Sequence, residues 1–488
     1  MVFSSLPFLL CFLPLTVLLY QGLAARACGR AALCALLLAS LLFYAWWKPA
    51  NLYIILLSLL GNYLLGQWLA VAGRWRKALF VTGLGLNLGA LVWFKYTDFL
   101  LGTVNSLCGM QLPLTGIVLP IGISFFTFQQ IAYLSDIYTG KHDPAGEGMM
   151  QYGLFVCFFP QLVAGPIVHH GEMMPQFART AAGGPAAPGW TAACAGLTLL
   201  FLGLGKKVLI ADTLSPVVSQ TFDSAAVLTF CDALCGSLAY TFQLYFDFSG
   251  YSDMAVGCGL LFGVYLPQNF ASPYRAESIQ DFWRRWHITL SRWLRDYLYI
   301  PLGGNRKGRW RTLFNLWMTF LLGGLWHGAA WTFVLWGAMH GTALALHRLW
   351  SAAGHRMPRR AAWLLTFVFI NLAWVVFRAP DFERLGLFCS AFSGQAGFAF
   401  SAAWQEAVST RTLFGLVPFP VIISLLPLLL ALCLRMPSAA DMTAPLLAQD
   451  APAAPPLRLT LLAALSLALS LFILCVPESS SEFIYFQF

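Results

Sequence analysis

Apolar runs of about 18 or more residues recur along this chain from one end to the other, and they leave few folds open to it. A run of that length crosses a bilayer as an α-helix, because each backbone N–H and C=O must find its partner within the segment. Charged residues make up 10% of the 488 and hydrophobic residues 59%, against roughly 25% charged in an ordinary soluble domain. The expected class is an all-α, polytopic transmembrane protein with about 11–14 membrane helices, some re-entrant or interfacial. Residues 1–488 are expected to form a single membrane-embedded unit.

Expected spans cover roughly 5–24, 30–47, 51–70, 77–95, 114–135, 149–168, 191–211, 225–246, 252–267, 311–329, 331–350, 361–378, 418–435 and 458–476. The run 252–267 is short and Gly-rich and reads as re-entrant or tilted. Stretches 169–190 and 379–417 read as loops, and 436–457 as an Ala/Pro-rich linker before the last span. The first apolar run is followed, not preceded, by its basic residues Arg26 and Arg30, which favours a retained span over a cleaved signal. Arg26, Arg30, Arg74, Arg76 and Lys77 gather in alternate loops. That asymmetry puts the N-terminus outside and the odd-numbered loops in the cytoplasm.

The net charge of +9 follows the same rule and gives no reason to expect a nucleic-acid partner. None of the twelve cysteines forms a Cys-x-x-Cys pair. Cys231 and Cys235 share a helix face but read as small packing residues, so no disulfide framework or metal site is expected. No internal repeat is present, which weakens a transporter reading built on inverted repeats.

Chemistry concentrates between residues 272 and 350. Nine basic residues lie between Ser272 and Thr312, opposed only by Glu277, Asp281 and Asp296, and residues 283–350 hold nine of the eighteen tryptophans. On a helix of 3.6 residues per turn, 281–299 places Trp283, Trp286, Leu290, Trp293 and Leu294 on one arc and Arg284, Arg285, Arg292 and Arg295 on the other. That pattern reads as an interfacial helix, with His287 on its apolar, inward arc. His327 stands in the apolar run Leu322-Gly323-Gly324-Leu325-Trp326-His327-Gly328, about 24 Å along the following helix from Arg311. An imidazole at that depth is costly and points to function. The glycines at 323, 324 and 328 would let backbone or substrate approach closely. His340 and His347 read as structural, and His169 and His170 as solvated loop residues, not metal ligands.

These segments resemble a known family. Leu119 to Phe128, Phe159 to Ile167, Tyr245 to Ala255, Phe282 to His287, Trp293 to Gly304 and Trp326-His327-Gly328 are together similar to the membrane-bound O-acyltransferases. Within that family they are similar to the branch that O-acetylates exported bacterial polysaccharides such as alginate. The match covers the motif-bearing core 115–350. It implies that His327 is the catalytic residue, that His287 is a second member of the site, and that helices surround a tunnel joining the two membrane faces. A neutral imidazole suits the removal of a hydroxyl proton during acyl transfer. The oxyanion donor stays open among His287, Trp326 and a backbone amide, with Trp326, Arg295 and Asp296 as candidate pocket residues.

The same resemblance implies a multi-pass protein of the bacterial inner membrane, in contact with lipid. No cofactor is bound; acetyl-CoA is the expected acyl donor, drawn to a basic cytoplasmic rim. A periplasmic partner acetyltransferase and an exported polysaccharide are the expected partners. The aromatic ending Glu482-Phe483-Ile484-Tyr485-Phe486-Gln487-Phe488 resembles a terminal motif of such systems, which makes Tyr485 a candidate acyl relay. Two rival functions fit the same chain: a D-alanyl or fatty-acyl transferase of the same superfamily, and a polytopic transporter or flippase.

Overall fold

A computed structural model describes residues 2–26, 28–46, 48–184, 188–411, 419–448, 450, 454–476 and 483–484. Among the described residues every regular element is helical, so the protein is all-α and polytopic. Six helices are long and apolar enough to cross a membrane, at Phe8–Ala25, Asn51–Val71, Gly73–Cys108, Trp190–Ser224, Arg359–Arg378 and Leu457–Leu474. The pair Phe419–Arg435 and Ala439–Leu447, bent by 48°, makes a seventh if it is one span. Of the other expected spans, 311–329 and 331–350 are the uninterrupted helices Arg309–His327 and Trp331–Ala352, 30–47 is the shorter helix Gly29–Ala45, and those at 114–135 and 149–168 are interrupted. Residues 110–122 are not helical, so the run expected at 114–135 begins as a helix only at Ile123. The run at 149–168 stops at Cys157, where Pro160 follows within three residues.

Three further expectations are corrected. Runs 225–246 and 252–267 do not form two elements: Phe230–Leu261 is one continuous helix of 32 residues, and the chain leaves it at Gly263, whose φ of 69° is open to glycine. The stretch 379–417 is not all loop, since Phe382–Phe392 and Ala402–Arg411 are helical. Neither is 169–190, where His170–Ala181 is helical. Its first turn is capped by Glu172, whose carboxylate accepts from the His169 backbone N–H at 3.1 Å.

The chain divides into two compact units. The first comprises 1–200, 254–267 and 443–460. Its interior includes Phe3, Phe8, Phe43 and Phe159, whose ring centroids lie within 6.4 Å of one another in every pair. Buried amides join its helices: Asn62 donates to Gln130 Oε1 at 2.6 Å, and Asn87 to Asn62 Oδ1 at 2.6 Å. In an apolar solvent such side-chain bonds hold helices together where a hydrophobic driving force is weak.

The second unit comprises 201–253, 268–442 and 461–488 and carries both histidines of interest. Its framework is the hairpin of Arg309–His327 and Trp331–Ala352. Glycines set how closely these two helices approach. A Cβ on Gly324 would lie 2.4 Å from the Phe333 carbonyl oxygen, and one on Gly337 2.5 Å from that of Phe320. The close approach foreseen for the glycine-rich run is thus, at Gly324, an approach of backbone to backbone.

Candidate active site

His327 is the last residue of its helix, and Gly328 breaks the helix in an extended conformation. A Cβ at 328 would lie 2.0 Å from the Phe333 ring, so this turn tolerates only glycine. The helix carbonyl end lies beside the imidazole and stabilises positive charge there, typically by about 0.3–1 kcal/mol. That suits a group that takes up a proton during the reaction. His327 is 8% exposed. Trp326, Trp336 and Phe377 surround it edge-on, with centroids 5.0, 5.1 and 5.3 Å away.

His287 is held differently. The interfacial helix expected over 281–299 is broken here into Ile279–Arg285, Ile288–Leu294 and a wider turn at Arg295–Tyr299. The break lies at Trp286, which is extended, and His287, whose φ of 43° is rare for a residue with a Cβ. Simple periodicity missed it because both halves keep their apolar arc. What pays for the strained backbone is the pairing of residues 269–271 with 285–288: Ile288 N donates to Asn269 O at 3.0 Å, and Ala271 N to Arg285 O at 2.9 Å. As expected from its arc, His287 points inward and is 1% exposed.

Asn269 fixes the ring. Its Oδ1 lies 3.0 Å from His287 Nδ1 and also accepts from Thr289 Oγ1 at 2.9 Å, while its Nδ2 lies 3.3 Å from Ser252 Oγ. An oxygen on that side calls for hydrogen on Nδ1, leaving the lone pair on Nε2, which is buried without a hydrogen-bond partner. The short helices that flank His287 do not span a membrane, and burial pushes its imidazole down to about 3. It therefore stays neutral, with one acceptor nitrogen facing inward.

Aromatic rings connect the two histidines. Trp336 packs on His327 and stacks with Trp374 at 6.0 Å; Trp374 in turn meets Trp286, the neighbour of His287, at 4.9 Å. His340, read as structural, is fully buried and accepts a hydrogen bond from Trp283 Nε1 at 3.2 Å. Trp283 also forms part of the wall of a cavity of about 500 Å³, lined by Arg284, Arg292, Arg295, Arg348 and His347 among others. Neither His287 nor His327 lines this cavity, but Arg295, a candidate pocket residue, does. Asp296 is its bidentate partner, at 2.7 and 3.0 Å, and does not line that space. Trp326, also expected in the pocket, is buried against His327.

The C-terminal segment meets the same region. Ile484 N donates to Asp247 Oδ2 at 2.9 Å, and Lys207 Nζ bridges Asp247 and Asp212 at 2.7 and 2.8 Å. Phe483 stacks on Tyr251 at 4.6 Å and touches Phe248, which packs edge-on against His287 at 4.8 Å. Tyr485, the candidate relay, lies outside the described residues. Asn269, Asp247 and Lys207 were not legible as site residues. Asn269 stands 18 positions before His287, across a helix break that no periodicity announces.

Two buried histidines and an arginine-lined cavity thus lie in the apolar helical frame of the second unit. Residues 145–379 match the MBOAT, membrane-bound O-acyltransferase family. The chain is 43% identical over 437 residues to a peptidoglycan O-acetyltransferase of Helicobacter pylori, covering 83% of this chain and 82% of that one. It is 43% identical over 392 residues to "Probable alginate O-acetylase AlgI" of Pseudomonas aeruginosa, covering 78% and 73%. A teichoic acid D-alanyltransferase of Bacillus subtilis is 24% identical over 292 residues, covering 54% and 70%. This chain belongs to the membrane-bound O-acyltransferase family and is a multi-pass membrane O-acyltransferase.

Proposed function

We propose that the protein takes acetyl from a cytoplasmic donor, acetyl-CoA, and passes it across the bacterial inner membrane for O-acetylation of an exported glycan. His327 is the general base. The observation that carries this reading is His327 at the end of its helix, packed on Trp336, whose ring meets Trp283 at 5.9 Å in the wall of the arginine-lined cavity. Four arginines around one space suit the phosphates of a polyanionic donor. The relatives named as acetyl-transferring are 43% identical, against 24% for the D-alanyltransferase, which favours acetyl as the group moved. Alginate and peptidoglycan are the glycans those names carry, and an extracytoplasmic polysaccharide of that kind is the acceptor class here.

In the reaction, neutral His327 accepts the proton of the acceptor hydroxyl as its oxygen attacks the thioester carbonyl. The tetrahedral oxyanion collapses, the C–S bond breaks, and the thiolate leaves with the proton returned by the imidazolium. His287 Nε2 carries no hydrogen in the tautomer that Asn269 favours, so it would position the hydroxyl as an acceptor; the oxyanion donor then falls to Trp326 or a backbone amide. The immediate acceptor is either Tyr485, next to the docked Phe483–Ile484 segment, or a periplasmic partner acetyltransferase that finishes the transfer.

The test is CoA release from acetyl-CoA by the purified protein, together with glycan O-acetyl content by NMR in cells. His327→Ala should insert normally and lose turnover by about 10²–10⁴-fold. Turnover at the wild-type level in that variant would overturn the assignment. In the same assay Tyr485→Phe should lower glycan acetylation, and full acetylation would remove the relay.

A further inference from the structure

Away from both catalytic histidines, the first unit gathers three metal-binding side chains. His142 and Glu147 lie in the segment joining helices Ile123–Tyr138 and Met149–Cys157, and His170 opens helix His170–Ala181. Nε2 of His142 lies 3.1 Å from one oxygen of Glu147, and Nε2 of His170 lies 3.1 Å from the other. The two imidazole centroids are 4.0 Å apart, and the three ligand atoms fall within 4.8 Å of one another. The reading of His170 as a solvated loop residue is therefore corrected: it is 1% exposed, at the start of a helix, beneath the ring of Tyr133 at 5.0 Å.

We propose that His142, Glu147 and His170 form a binding site for a divalent transition-metal ion, with Zn²⁺ the best fit. Distance alone would allow a plain hydrogen-bonded triad, but the angles at these contacts are poor for one. Nε2 of both histidines and Oε2 of Glu147 are buried without a hydrogen bond of acceptable geometry, although the contacts are only 3.1 Å long. Buried polar atoms are almost always satisfied, and a group of them converging on one point is what an ion resolves. Tetrahedral Zn²⁺ with bonds of about 2.0–2.1 Å holds its ligand atoms about 3.3 Å apart. The two histidine–carboxylate contacts here are 3.1 Å, and the three ligand atoms lie within 4.8 Å of one another, so small side-chain shifts would close the set on an ion.

The donor set decides the ion class. Two imidazoles and a carboxylate suit Zn²⁺ and its neighbours, whereas Mg²⁺ and Ca²⁺ take oxygen ligands. Three protein ligands leave a fourth position for water. Side-chain exposures of 20% for His142 and 13% for Glu147 leave the ion a way in. The ligands are spaced by 5 and 23 residues, so the ion ties the segment between two helices to the start of a third. Its role is to staple this unit, separate from the acyl transfer at His327.

The experiment uses the full-length protein purified in detergent. Metal content by mass spectrometry after Zn²⁺ loading and buffer exchange should approach one Zn²⁺ per chain, and a chelator should lower the melting temperature by several degrees. Co²⁺ in place of Zn²⁺ should give the visible absorption of a four-coordinate site. His142→Ala, at the more exposed ligand, should fold, lose the stoichiometric metal and the Co²⁺ spectrum, and keep CoA release. Glu147→Gln should do the same if His170→Ala proves too unstable to purify. A folded wild type that retains no Zn²⁺ and is not stabilised by it overturns the site, and so does full Zn²⁺ retention in His142→Ala.

Discussion

At the residue scale the two histidines differ in how they are prepared for chemistry. His327 owes its setting to a helix end and an aromatic cage, of which the sequence suggested only the depth of the residue in an apolar run. His287 owes its setting to Asn269, which selects a tautomer across 18 residues of chain. Asn269→Ala should leave His287 free to switch tautomer and lower kcat about 10–100-fold, by analogy with the loss of other outer partners of imidazoles. KM for the donor should change little, and Asn269→Asp should recover part of kcat with an altered pH profile. An unchanged kcat and pH profile in Asn269→Ala would show that the amide only packs. Protonation carries a sign of its own here. With its imidazole pushed down to about 3 from an unfolded value near 6.5, the fold excludes a proton that the unfolded chain binds. Stability from this group is whole above pH about 6.5 and drains away as pH falls towards 3.

At the element scale the decisive object is the hairpin of helices Arg309–His327 and Trp331–Ala352. Its sequence announces a helix, a glycine-marked turn and a second helix, and that much was legible. The closeness of the two backbones was not, because it depends on Gly324 facing Gly337 and Phe333 across the pair. Gly324→Leu should force the helices apart and cost about 1–3 kcal/mol of stability, read as a lower melting temperature in detergent. Because Trp336 lies on the displaced helix, acyl transfer should fall even in the fraction that remains folded. A variant with wild-type melting and turnover would mean that the hairpin tolerates separation. The broken helix at Trp286 and His287 teaches the converse. An apolar arc is preserved on both sides of the break, so amphipathicity persists where the helix does not.

At the scale of the whole molecule, composition settles the solvent, and long-range contacts assemble the candidate site. The arginines of the 284–295 stretch read from the sequence as a positive-inside signal. The fold brings Arg284, Arg292 and Arg295 around one cavity with Arg348 from a helix more than fifty residues on. If that cavity receives the donor's phosphates, Arg292→Ala with Arg348→Ala should raise KM for acetyl-CoA about tenfold or more and leave kcat near wild type. The wild-type KM should also rise with ionic strength, as expected of screened charges. Equal donor kinetics in the double variant would move donor binding elsewhere.

Sequence alone determined the solvent of this protein, its all-α class and its family, and it nominated two histidines for the candidate site. Each of these is written in local runs: apolar length, helical period and short motifs. Only the tertiary structure decided that His287 sits at a helix break, that Asn269 orients it, that Lys207 and Asp247 hold the residues before Tyr485, and that His142, Glu147 and His170 converge. These are meetings of side chains far apart in the chain. They depend on how helices pack, and no local period records them.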